Sequence, residues 1–146
     1  PSPRLRGEGW GEGRGEGRYT PREEGPMRIL SARVHGVLDL VTVLLLVLGA
    51  IVSGLGGAPL AIALTLAAVH LLLTLLTDFP MGVVKKIPFF VHGIVELAVG
   101  IGLLLLPSFA GYGPGSPARR FYLAMGALIL VVWALTAYRR VDARAD

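Results

Sequence analysis

Six ionisable side chains fall within, or at the ends of, otherwise apolar stretches: His35 and Asp39, His70 and Asp78, His92 and Glu96. Their spacing is helical. His35, Asp39 and Thr42 stand at i, i+4 and i+7, one stripe of a helix, and His70, Thr74 and Thr77 repeat that pattern with Asp78 one residue further on. His92 and Glu96 again lie four apart. Three chemistries are open to such a set. Histidine changes charge near neutrality and hydrocarbon penalises a bare carboxylate, so the group could conduct protons or handle a small ion or solute. The same residues could instead be polar glue between helices, worth about 0.6 to 2 kcal/mol per contact. A third reading is a metal or haem site, since histidines and carboxylates ligate zinc, manganese or iron and histidines on facing helices can hold a b-type haem. The spacing His-x-x-x-Asp/Glu differs from the Glu-x-x-His of di-iron bundles and the His-Glu-x-x-His of zinc proteases, and carboxylates would repel haem propionates. No cofactor is therefore expected from a motif; interhelical glue is the strong structural reading, and among the functional ones proton or small-solute handling stands ahead of metal or haem.

Other chemistry finds little support. The chain has no cysteine, which removes thiolate metal sites, iron–sulfur clusters and a cysteine nucleophile. No phosphate-binding glycine loop, nucleophile elbow or kinase signature is present, and Ser108 and Ser116 sit in a turn-rich segment without a neighbouring base. No catalytic residue is assigned, and an enzyme is not expected.

The elements that must position these groups are membrane spans. With 53% hydrophobic and 16% charged residues and a mean hydropathy of +0.66, the chain is too apolar for a soluble domain of 146 residues. Four runs, Val34 to Val52, Pro59 to Thr77, Pro88 to Leu106 and Phe121 to Tyr138, are each long enough, at about 1.5 Å per residue, to cross roughly 30 Å of hydrocarbon. Unbroken apolar runs favour helices over the short alternating strands of a barrel. Ser31 is placed to cap the first helix, Gly54 to Gly57 form a tight connection, and Pro107 to Pro117 form a Gly/Pro-rich loop. Gly36, Gly93, Gly100 and Gly102 read as close-packing positions between helices. The fold expected is an all-α, integral membrane four-helix bundle. Counted from one end, Asp39, His70 and Glu96 lie about two turns deep, roughly 8 to 12 Å, so His70 should bridge the two carboxylates while His35 and His92 pair within their own helices.

Arg28 and Arg33, Lys85 and Lys86, and Arg139, Arg140 and Arg144 flank one side, against only Arg119 and Arg120 on the other. Both termini should therefore be cytoplasmic, in a bacterial inner membrane. Phe79, Phe89, Phe90 and Tyr138 would mark the inner interface and Phe109, Tyr112, Phe121 and Tyr122 the outer. Lys85 and Lys86 would hold their loop at anionic lipid. The net charge of +4 is explained by these flanks and implies no nucleic acid; lipid is the expected partner, with a homo-oligomer or other membrane proteins also open.

The halves resemble one another. Val34-His35-Gly36-Val37-Leu38-Asp39-Leu40 answers to Val91-His92-Gly93-Ile94-Val95-Glu96-Leu97, and Leu76-Thr77-Asp78-Phe79 to Leu135-Thr136-Ala137-Tyr138. Two tandem two-helix repeats in parallel orientation are expected, related by an axis along the membrane normal. Over roughly Arg28 to Arg140, through the His-Gly-x-x-[Asp/Glu] openings and Leu104-Leu105-Leu106-Pro107-Ser108-Phe109, the chain resembles small bacterial membrane proteins with SPW repeats. Here Pro107-Ser108-Phe109 replaces Ser-Pro-Trp, and the first unit has Val52-Ser53-Gly54. The resemblance implies a membrane location and transfers no activity or catalytic residue.

Pro1 to Pro26 differs in kind, with a tetrapeptide rhythm of Gly-Glu-Gly-Trp and Gly-Glu-Gly-Arg. It has little to bury and should be disordered. Met27 immediately precedes the first span, so translation is expected to begin there and residues 27–146 to form the membrane domain.

Overall fold

The computed structural model describes residues 29–138, so the expectations for Pro1 to Pro26 and for Arg28, Arg139, Arg140 and Arg144 lie outside it. Four helices, each long and apolar enough to cross a membrane, form a bundle: α1 (Ala32–Val52), α2 (Gly57–Leu76), α3 (Phe89–Phe109) and α4 (Pro117–Leu135). Only 28–33% of each span is buried inside the protein. The outward faces carry Leu44, Leu48, Leu72, Ile94, Leu105 and Val131, all exposed, which is the surface that hydrocarbon would cover.

Local chemistry sets the helix ends. Ser31 Oγ accepts from the Val34 amide at the start of α1, and Ser116 Oγ accepts from the Arg119 amide at the start of α4, each meeting a free first-turn donor. The last carbonyls of α2 are met by the following loop, where the Val83 and Val84 amides donate to Leu75 and the Lys86 amide to Leu76. That return requires Gly82, since a Cβ there would lie 1.7 Å from the Thr77 carbonyl oxygen. Two-residue strands follow, β1 (Thr77–Asp78) and β2 (Ile87–Pro88), paired in parallel with Thr77 opposite Ile87. A matching parallel bridge joins Leu30 to Thr136, with the Leu30 amide donating to the Leu135 carbonyl at 3.0 Å.

Helices α3 and α4 make the most extensive contact, and small residues allow it: a Cβ on Gly126 would stand 2.9 Å from the Gly100 carbonyl oxygen. The apolar core is built from Leu46, Ala50, Ala63, Ala67, Leu103, Phe121, Tyr122, Met125 and Ile129.

Three expectations are corrected. Gly102 faces open space and is not a close-packing position. Helix α3 continues through the buried Pro107 to Phe109, and beyond it the Ala110 amide donates to Leu106 at 2.8 Å and the Tyr112 amide to Pro107 at 2.9 Å. Phe121 and Tyr122 are core residues rather than interfacial anchors, the Tyr122 hydroxyl donating to the Pro59 carbonyl. Between Leu45 and Gly49 α1 also widens into a π-helical turn, which no residue in the sequence announces.

Candidate metal centre

The first turns of α1 and α3 meet at one end of the bundle, bringing together His35 and Asp39 from α1 with His92 and Glu96 from α3, all 2% exposed or less. Helical spacing explains the local pairs: His35 Nε2 lies 3.2 Å from Asp39 Oδ1 and His92 Nε2 3.6 Å from Glu96 Oε1. The crossing adds the reciprocal contacts. His35 Nε2 is 3.4 Å from Glu96 Oε2, His92 Nε2 is 3.5 Å from Asp39 Oδ2, and the two Nε2 atoms are 3.4 Å apart.

The threonines that end the even-numbered helices fix the imidazole tautomers. Thr77 Oγ1 donates its one proton to the Leu73 carbonyl at 2.7 Å, so at 2.8 Å from His92 Nδ1 it can only accept. Thr136 repeats the arrangement, donating to Val132 at 2.7 Å and receiving His35 Nδ1–H at 2.9 Å. Both histidines are therefore protonated at Nδ1. In the neutral state each aims an Nε2 lone pair inward, against four carboxylate oxygens. In that state the imidazoles give the carboxylates no proton, and among the described residues no lysine or arginine pairs with either carboxylate. Protons or a cation could balance the two carboxylates, whose charge hydrocarbon does not screen.

One nitrogen or oxygen from each of the four residues lies within 4.8 Å of the others, so the group can hold a metal ion. Two ligands about 2.0 to 2.2 Å from one ion at the tetrahedral angle are about 3.3 to 3.6 Å apart, which the 3.4 Å between the two Nε2 atoms meets. Two carboxylates and a dication sum to zero charge. Each carboxylate turns one oxygen to either histidine, so coordination can expand beyond four by bidentate binding. The outer contacts also suit a metal site. Thr74 Oγ1 lies 3.3 Å from Asp39 Oδ2, the Tyr138 hydroxyl donates to Glu96 Oε2, and Nδ1–H of each imidazole is held by a threonine.

No protein-family model, curated protein or solved structure matches the chain. The likeness to SPW-repeat proteins rests on the quoted residues alone.

An aromatic roof closes the outer end of the centre. Phe79 stacks on Phe89 with ring centroids 5.4 Å apart, and the rings of Phe89 and Tyr138 stand 5.3 and 5.4 Å from that of His35. Glycine after each histidine makes room for it. A Cβ on Gly36 would lie 2.4 Å from the Phe79 ring and one on Gly93 2.8 Å from the Tyr138 ring. Phe79 and Tyr138 are thus buried over the site, whereas Phe90 alone of the expected inner belt is exposed.

Of the six candidate residues the structure gathers His35, Asp39, His92 and Glu96. His70 stands beside them, with Nε2 3.6 Å from Asp39 Oδ1. It does not bridge the carboxylates; His35 and His92 do that, and His70 Nε2 is buried without a hydrogen-bond partner. Asp78 lies apart, exposed in β1, because α2 ends at Leu76 and the chain turns extended before it. Thr42 is buried further along the α1 stripe. Thr136 and Tyr138 were not among the candidates, although their alignment with Thr77 and Phe79 was the available signal.

Proposed function

We propose that this chain is an integral membrane protein that holds one divalent first-row transition metal ion, of the zinc, iron or manganese kind, between His35, Asp39, His92 and Glu96. The observation that carries it is the pair of inward Nε2 atoms whose tautomers are fixed by Thr77 and Thr136. Without a cation these lone pairs face each other and two carboxylates in a buried layer. Mixed nitrogen and oxygen donors without thiolate suit borderline dications, and selectivity among them follows coordination number and supply. A proton-handling centre is the competing reading. It is weaker because neutralising both carboxylates with protons on Nε2 would set two imidazoliums 3.4 Å apart.

The tandem-repeat reading of the bundle, with α1 parallel to α3, is supported by the reciprocal contacts of His35 with Thr136 and His92 with Thr77, and by the Leu30–Thr136 and Ile87–Thr77 pairings. The exposed Lys85 and Lys86 support a cytoplasmic placement of the end that carries the site, with both termini on that side.

The test is elemental analysis of protein purified in detergent, before and after loading with zinc, manganese, iron or cobalt, for the wild type and His92→Ala. About one ion per chain is expected in the wild type and almost none in the variant. A folded wild type that retains none of these metals overturns the reading.

A further inference from the structure

His70 is the group that the four-residue centre leaves unexplained. Its side chain is 7% exposed, and its buried Nε2, which has no hydrogen-bond partner, faces Asp39 Oδ1 at 3.6 Å. A buried imidazole nitrogen without a partner is costly, and native proteins rarely leave one without a reason. The corresponding position of the second half is the buried Ile129, so the third histidine breaks an otherwise reciprocal arrangement on one side only.

From α2 the imidazole meets the centre on two helices: Nε2 points at Asp39 on α1, and the ring stands 6.2 Å from that of His92 on α3. The 3.6 Å to Asp39 Oδ1 is already the separation of two atoms that share an ion, since ligands about 2.0 to 2.2 Å from one ion at the tetrahedral angle are about 3.3 to 3.6 Å apart. His70 nonetheless lies outside the group whose donor atoms are all within 4.8 Å of one another. A short approach of α2 would bring it in, and the bundle has slack on that side. Helices α2 and α3 pack little on each other, and a cleft of about 350 Å³ of atom-free space, mouth included, runs between them. His70 and Glu96 are the only ionisable residues lining it, and the rest of its wall, Val95 and Val99 included, is aliphatic. Closing it displaces no more than a water, because the space open to the centre of a water-sized molecule is about 20 Å³.

We propose that His70 is a further ligand to the ion, recruited through Nε2 as α2 closes on the centre, so that the bound ion is held by three imidazoles and two carboxylates. The proposal rests on the metal reading above. A fifth donor matters to selectivity, because zinc is satisfied by four ligands whereas manganese takes more. His70 is then the specificity-determining residue of the centre, and the α2–α3 cleft is the space that its approach takes up. The second half needs no such device: with Ile129 in the equivalent place, the ion is approached from the α2 side alone.

The experiment uses the full chain in detergent, loaded to saturation with cobalt(II). X-ray absorption at the cobalt edge counts bound imidazoles, and the visible bands report coordination number, being weaker for five ligands than for a tetrahedral four. The wild type should show three imidazoles and weak bands. His70→Ala should show two imidazoles and stronger bands. Val95→Phe, which keeps His70 but fills the cleft that must close, should match His70→Ala. In both variants the affinity for manganese relative to zinc should fall by about ten-fold, the loss of one interaction of about 1.4 kcal/mol. If His70 only donates a hydrogen bond to Asp39, the wild type will show two imidazoles, and that count, which depends on no variant folding, overturns this proposal while the four-residue centre stands. A folded wild type that binds none of cobalt, zinc and manganese removes the metal reading and this proposal together.

Discussion

Replacing Thr136 by valine tests the centre through a residue that no metal would touch. Valine keeps the threonine shape but removes the oxygen that receives His35 Nδ1–H at 2.9 Å, leaving that donor buried and unpaired. A buried unsatisfied donor costs about 1 to 3 kcal/mol, and the imidazole is free to rotate or to move its proton to Nε2, which is the wrong tautomer for a ligand. Outer hydrogen-bond partners of metal-bound histidines are worth about 10- to 100-fold in affinity, which is about 1.4 to 2.7 kcal/mol and agrees with that cost. Thr136→Val should therefore raise the metal Kd by about 10- to 100-fold in competition with a chromophoric chelator in detergent. Thr136→Ser, which keeps the hydroxyl, should stay near the wild type. Thr77→Val should behave as Thr136→Val does, because it frees His92 in the same way. If the threonines only glue helices together, the metal-free variants should lose stability while metal affinity in the folded fraction stays unchanged. That result would refute the tautomer argument.

Asp39→Asn and Glu96→Gln each keep side-chain volume but remove one of the two charges that balance a dication, so each should abolish the stabilisation by added metal. In the wild type that stabilisation is about 2.7 kcal/mol at metal 100-fold above Kd, read as a shift in thermal unfolding. Metal affinity should fall as pH falls, because protons compete with the ion for Nε2 and the carboxylates, and chelator titrations over a pH series would show the sign. Gly93→Ala places a methyl 2.8 Å from the Tyr138 ring; it should cost about 1 to 3 kcal/mol by overpacking and, by lifting the Tyr138 hydroxyl from Glu96, weaken metal binding, as Tyr138→Phe should also do. Tyr122→Phe, at the opposite end, should lower stability by about 1 kcal/mol through its lost bond to Pro59 and leave metal affinity unchanged.

Spans, caps and the helical spacing of His35 with Asp39 and of His92 with Glu96 were legible because they are set by local periodicity. Depth from one membrane face also placed His70 near Asp39. What the sequence could not give is the rotation of each helix about its axis. That rotation put His35 and His92, rather than His70, between the carboxylates. Thr136 acts on a residue 101 positions away, a distance at which periodicity is silent, and only the likeness of Thr77 and Thr136 hinted at it. Phe79 and Tyr138 read as interfacial anchors because aromatics at span ends usually are; the glycine after each histidine was the sign that a ring would lie there instead.

The threonine–histidine contacts run crosswise: the first hairpin supplies the hydroxyl that steadies the second hairpin's imidazole, and the second returns the favour. Neither hairpin holds a finished centre, so the molecule is chemically a dimer written on one chain. Severed in the loop between β1 and β2, its halves would be complementary fragments, and the ion would act as the rivet between them. If the centre holds an ion, reassembly of two separately expressed hairpins would become metal-dependent, and the chain would serve as a split reporter for that ion.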